Sequence, residues 1–116
     1  KTTFIRYLIN YLQIKNNLEI TDIPSPTFNI INEYKINSFI IRHFDLYRIK
    51  DKKELNNIGI NENTEDYARL IEWPDILGEN LDSTLTLKFE YDEKLENRYL
   101  IISNNADLDF NEFEKI

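Results

Sequence analysis

Apolar residues recur at helical spacing near the start of the chain: Phe4, Leu8, Tyr11 and Leu12 fall at i, i+4, i+7 and i+8, with Ile5 and Ile9 beside them. That period predicts a packed helix over residues 4–12. Residues 15–26 are polar and punctuated by Asn16-Asn17, Pro24 and Pro26, the composition of a surface loop. Two runs rich in Ile, Phe and Tyr follow, residues 27–34 and 38–49, and read as strands joined by a hairpin connection at Lys35-Ile36-Asn37. Asp51 with Glu54 makes a capping-box pattern, so a short helix starts there and ends near Gly59. Residues 61–67 are acidic and read as a helical turn or loop. Residues 68–73 form a short apolar strand closed by Pro74, and Leu77-Gly78 marks a helical turn ending on glycine. From 84 to 91 the chain alternates, with Leu85, Leu87, Phe89 and Tyr91 on one face; 92–97 is the turn, and 98–103 returns as an Ile-rich strand. Residues 104–116 form an acidic tail with two Phe, either frayed or docked as a short segment. The sum is one α/β domain.

Composition narrows the function. At 116 residues the chain suits one domain with one modest core, and 41% hydrophobic with 30% charged residues is an ordinary globular balance. No run of about 18 apolar residues is present, so no membrane span is expected, and no basic segment followed by an apolar stretch marks a signal peptide. The absence of cysteine removes disulfides, thiol catalysis and Cys-based zinc sites, and fits a reducing compartment. A net charge of −7 without a Lys/Arg cluster argues against direct, tight nucleic-acid binding, because neutralising phosphates needs a positive surface.

The chemistry-bearing residues begin at Lys1-Thr2-Thr3. A lysine and a hydroxyl residue opening a helix are how a phosphate-binding loop ends: the helix N-terminus presents unpaired N–H groups, the lysine reaches phosphate and the hydroxyl takes Mg²⁺. The bland reading is a polar helix start with threonine as a cap. A phosphate loop also needs an acid at the end of a neighbouring apolar strand, because Mg²⁺ wants oxygen ligands and the attacking water needs orienting. Glu72, after Arg69-Leu70-Ile71, is one candidate, with a solvated strand end as its alternative. Asp45 is the other. Phe44 and Leu46 share one face, so His43, Asp45 and Tyr47 share the opposite one, where an acid is costly unless paired; a structural ion pair with Arg48 or Arg42 is the competing account. His43 is the only histidine, cannot form a zinc site alone, and reads as a hydrogen-bonded strand residue. Trp73 is either core packing or a ring beside a nucleotide, and sequence alone favours packing. Thr27 either caps the segment after it or points its hydroxyl at a γ-phosphate, and spacing favours the cap.

Lys1-Thr2-Thr3-Phe4, Ser25-Pro26-Thr27-Phe28, Asn32-Glu33-Tyr34, His43-Phe44-Asp45-Leu46-Tyr47-Arg48, Glu54-Leu55 with Ile58-Gly59-Ile60, and Leu70-Ile71-Glu72-Trp73-Pro74 occur in that order. The ordered set closely resembles the TsaE (YjeE) family, small bacterial P-loop ATPases of the tRNA threonylcarbamoyladenosine pathway. The resemblance covers residues 1–103 and implies a P-loop NTPase-like three-layer fold with a mostly parallel central sheet plus antiparallel hairpins. It also implies that a Gly-rich loop and a first strand precede Lys1. The chain is therefore expected to be N-terminally truncated and, as it stands, to bind ATP poorly. At matching positions, Lys1 resembles the P-loop lysine, Thr2 the hydroxyl ligand of Mg²⁺, and Thr3 a further phosphate contact. Glu72 resembles the acid serving Mg²⁺ and water, Asp45 a second catalytic acid, Thr27 a switch-like γ-phosphate contact, and Trp73 a ring near bound nucleotide. The implied cofactors are ATP and Mg²⁺. The implied partners are TsaD and TsaB homologues, with tRNA reached only through their complex, in the cytoplasm. A P-loop small-molecule kinase and a non-catalytic interaction module of the same complex are the alternatives.

Overall fold

The computed structural model describes residues 1–62, 65–78 and 85–104, and the chain divides into two compact units, Lys1–Gly78 and Glu79–Ile116. In the first unit, helix α1 (Thr2–Lys15) precedes strands β1 (Ile31–Ile36) and β2 (Phe39–Asp45), helix α2 (Lys52–Asn57), strand β3 (Tyr67–Glu72) and a 3₁₀ turn (Pro74–Leu77). The three strands lie in the order β1-β2-β3, with β1 antiparallel and β3 parallel to β2. The described sheet is thus mixed, not mostly parallel. The second unit contains the antiparallel hairpin of β4 (Leu85–Tyr91) and β5 (Arg98–Asn104), joined by the expected turn. The expected tail lies, beyond Asn104, outside the described residues.

Period-two alternation divides the sheet into two faces. On one, Ile36, Ile41 and Leu70 pack with Ile5 and Ile9 of α1 and with Ile23. On the other, Phe44 and Ile71 pack with Leu46, Ile49, Leu55 and Ile60 around α2. Burying a side chain of this size stabilises by about 1.5–3 kcal/mol, so each helix is held by its apolar contacts more than by its own propensity. α2 also has its predicted start: the Asp51 side chain accepts from the Lys53 N–H while Glu54 accepts from the Asp51 N–H. It ends as expected at Gly59, whose φ of +64° suits a residue without Cβ.

Several boundaries differ from the pattern reading. The buried stripe of α1 is Ile5, Ile9 and Gln13, whereas Phe4 and Tyr11 are exposed. The helix is apolar on two opposite faces, and of the residues that spacing selects, Ile5 and Ile9 are buried and Leu12 packs against them, while Phe4 and Tyr11 are not buried. Gln13 is buried because its amide bonds the Thr21 hydroxyl and backbone N–H, pinning the following loop. Residues 27–30 form a turn, not the start of a strand: the Ile30 N–H donates to the Pro26 carbonyl at 2.6 Å, and Ile30 has a φ of +68°. Lys35 and Ile36 belong to β1, so the hairpin connection shrinks to Asn37-Ser38, with Asn37 at a φ of +49°. β2 stops at Asp45, well before Ile49.

Candidate functional site

The chain's candidate residues converge where α1 begins and β2 and β3 end. Asp45 and Glu72 are register partners at the C-terminal ends of two parallel strands. Because alternation places His43, Asp45 and Glu72 on the face that α1 covers, the start of the helix sits against them. Thr2, the first residue of α1, donates its hydroxyl hydrogen to Glu72, 2.9 Å from Oε1 and 3.1 Å from Oε2. His43 Nε2 lies 2.8 Å from Oε2 of the same carboxylate. Glu72 is only 5% exposed and His43 fully buried. Burial by itself would raise the Glu72 carboxyl, but hydrogen bonds from His43 and Thr2, with electrostatic help from His43, bring it below its ordinary value. Glu72 is therefore an ionised carboxylate held by donors, not a solvated strand end.

Asp45 is satisfied separately. Thr27 Oγ1 donates to Oδ2 at 3.2 Å, and the Tyr47 N–H donates to Oδ1 at 3.1 Å. Neither arginine weighed as its partner takes that place: Arg42 pairs with Glu33 at 2.8 Å, and Arg48 lies over the Phe28 ring. The turn at residues 27–30 is anchored by Asp45 itself, whose N–H donates to the Ile30 carbonyl at 2.9 Å. That bond explains why a β-branched residue tolerates the left-handed region, which costs roughly 1–2 kcal/mol. Thr27 shares a second hydrogen bond with Ser25 Oγ and faces an acid rather than capping the segment after it.

Trp73 leaves β3 in the left-handed conformation, φ 57° and ψ 57°, and is 42% exposed, so packing in the core is not its place. Its ring carries the Lys1 ammonium 3.5 Å from its centroid and meets the Tyr47 ring at 5.1 Å. Lys1, Thr2, Glu72 and Trp73 thus form one cluster, Thr27 and Asp45 an adjoining one, and Thr3 is exposed on the first turn of α1. His43 is the hydrogen-bonded strand residue expected of it, and the bond goes to Glu72. Alternation places it with Asp45 and Tyr47, but nothing in the sequence pairs His43 with Glu72 or Tyr47 with Trp73.

A protein site for a divalent cation normally gathers several carboxylates. Among the described residues no group of three or more His, Cys, Asp or Glu is poised to hold a metal. The donors here are one hydroxyl and one ionised carboxylate, both hard oxygens, which suits Mg²⁺: that ion keeps several waters and takes the rest of its shell from phosphate oxygens.

The model of one protein family, described as "Threonylcarbamoyl adenosine biosynthesis protein TsaE", matches residues 1–100. The chain belongs to the TsaE family. Proteins called tRNA threonylcarbamoyladenosine biosynthesis protein TsaE are similar to it along most of its length. The one from Rickettsia felis is 36% identical over 109 residues, 92% of this chain and 61% of its own. The one from Haemophilus influenzae is 32% identical over 109 residues, 90% of this chain and 65% of its own. The one from Rickettsia conorii is 42% identical over 77 residues, 66% of this chain and 42% of its own. The TsaE chain described here therefore spans less than two thirds of these relatives' length. No helix among its described residues is long and apolar enough to cross a membrane.

Proposed function

We propose that the complete protein is a Mg²⁺-dependent ATPase of P-loop type, binding nucleotide phosphates at the start of α1 and serving tRNA threonylcarbamoyladenosine formation. The observation that carries this reading is the contact of Thr2 with Glu72, a hydroxyl and an ionised carboxylate brought within 2.9 Å across 70 residues of sequence. Joined to the Lys1 ammonium and a helix N-terminus, that pair supplies what a Mg-nucleotide needs from a protein. Family membership and the names of the relatives support the pathway. A small-molecule kinase is less well supported, since no arginine-bearing lid is evident among the described residues.

Thr2 and Glu72 would hold Mg²⁺, which when bound neutralises charge developing on the phosphates. Lys1 adds a positive charge at the same helix end, and moves off the Trp73 face when phosphate competes for it. Thr3 offers a further hydroxyl on that turn. Asp45 serves as the second acid, orienting the attacking water, and Thr27 holds it while presenting the turn at residues 27–30 to the γ-phosphate. Trp73 lies beside the nucleotide. This part of the protein carries a net charge of −7, which favours reaching tRNA through protein partners, TsaD and TsaB homologues, rather than through its own surface.

Trp73 is the only tryptophan of this chain, and in the complete gene product its signal is identified by its loss in Trp73→Phe. Titrating Mg-ATP into the complete gene product should give a saturable change in its fluorescence. Lys1→Ala should abolish that change, and Glu72→Gln should retain binding while phosphate release stops. Silence in both fluorescence and calorimetry would reject the ATPase reading and leave an interaction module of the transferase complex.

A further inference from the structure

His43 is fully buried, yet one of its two ring nitrogens has no hydrogen-bond partner among the described residues: Nδ1 is enclosed and unsatisfied. An aliphatic side chain at this point of β2 would be buried without leaving a polar atom orphaned. Packing therefore does not account for a histidine here. What the imidazole adds is its other nitrogen, 2.8 Å from Glu72 Oε2.

We propose that His43 is a positioning residue for Glu72, its Nε2–H fixing the plane of that carboxylate and so the lone pairs it offers to the metal and water of the nucleotide site; the inference rests on the ATPase reading above. The hydrogen must be on Nε2, because an ionised carboxylate only accepts. Thr2 alone cannot fix the carboxylate, since its hydroxyl spans both oxygens at 2.9 and 3.1 Å. The last torsion of a glutamate is broad, so the carboxylate plane would swing at little cost. His43 holds Oε2 from a second direction and so fixes the plane, leaving Oε1 to the side of the helix start. The topology allows no simpler donor. The residue level with Glu72 on β2 is Asp45, another acid, whereas His43 lies two residues earlier on the same face.

The test uses the complete protein labelled with ¹⁵N-imidazole, the ring nitrogens of His43 being assigned by their loss in His43→Leu. An Nε2-bound hydrogen in slow exchange, moved by Glu72→Gln, is the expected signature. Kinetics then separate positioning from packing. His43→Leu should lower kcat by about 10–100-fold, the usual effect of removing a group that orients a metal ligand, while KM for ATP changes by less than about threefold. His43→Gln, whose amide nitrogen reaches the place of Nε2, should recover most of the loss, with circular dichroism confirming that both variants are folded. A wild-type protein that neither binds nor hydrolyses ATP removes the ATPase reading and this proposal with it. An active wild type removes the proposal alone if Nε2 carries no such hydrogen, if folded His43→Leu keeps the wild-type kcat, or if Gln is no better than Leu.

Discussion

Replacing Thr2 by valine keeps the shape of the side chain and deletes only the hydroxyl shared between the two oxygens of Glu72. A hydrogen bond to a charged group contributes about 1.5–3 kcal/mol. Thr2 is half-buried, so water replaces part of that, and the expected loss is about 1 kcal/mol, or roughly 4 °C in Tm for a chain of this size. The loss should depend on pH in one direction. Glu72 has a folded pKa below its ordinary value. A carboxylate of this kind contributes stability that is complete above the unfolded value, about 4.3, and that disappears as pH falls through the lower folded one. Urea titrations of wild type and Thr2→Val from pH 7 downward should therefore diverge most at neutral pH and converge in acid. In a Glu72→Gln background the same substitution should cost no more than about half as much, because the bond is then neutral. Equal losses at every pH and in both backgrounds would show that the hydroxyl serves the helix start and not the carboxylate.

Ile9 is fully buried between α1 and the sheet, so Ile9→Ala should cost about 3 kcal/mol in urea unfolding; a loss below about 1 kcal/mol would mean that the α1 interface repacks freely. Gly59→Ala forces a Cβ into the left-handed region and to 3.0 Å from Glu62 Oε2, and should destabilise by roughly 1–2 kcal/mol, with a neutral result contradicting the φ of +64°. Asp51→Ala removes the cap of α2 and should cost about 1 kcal/mol, while Asp51→Asn should retain most of it.

How much of this was legible depends on whether a residue's role is local. The capping box, the glycine after α2 and the β4–β5 hairpin depend on neighbours in sequence, and each appeared where its pattern placed it. Alternation along β2 put Asp45 opposite Phe44, and the apolar run before Glu72 marked β3. The burial of α1 was not legible, because Phe4, Tyr7 and Tyr11 form a second apolar stripe opposite Ile5 and Ile9, and only the sheet decides between them. Nor was the turn at residues 27–30, whose Ile and Phe read as strand; its shape is set by a bond from Asp45, 15 residues away from Ile30. The role of His43 depends on the register between β2 and β3, which is a property of the pair and not of either run.

That register also bears on whether the two acids act as one unit. Asp45 and Glu72 are level on parallel strands, where adjacent chains run about 4.8 Å apart, yet no hydrogen bond among the described residues links them. Each is held by a threonine from a different element: Glu72 by the first residue of α1, Asp45 by the turn at residues 27–30. If the two supports are independent, Thr27→Val and Thr2→Val should add in stability to within about 0.5 kcal/mol at pH 7, despite the closeness of the acids they serve. Repulsion between the two acids would work against additivity. A coupling above about 1 kcal/mol in the double-mutant cycle would therefore mean that the acids share one electrostatic unit. Loss of either hydroxyl would then disturb both. Additivity would instead leave the turn at residues 27–30 able to move with Asp45 while Glu72 stays fixed between His43 and α1, which is the division of labour expected when one acid holds a metal and the other meets the attacking water.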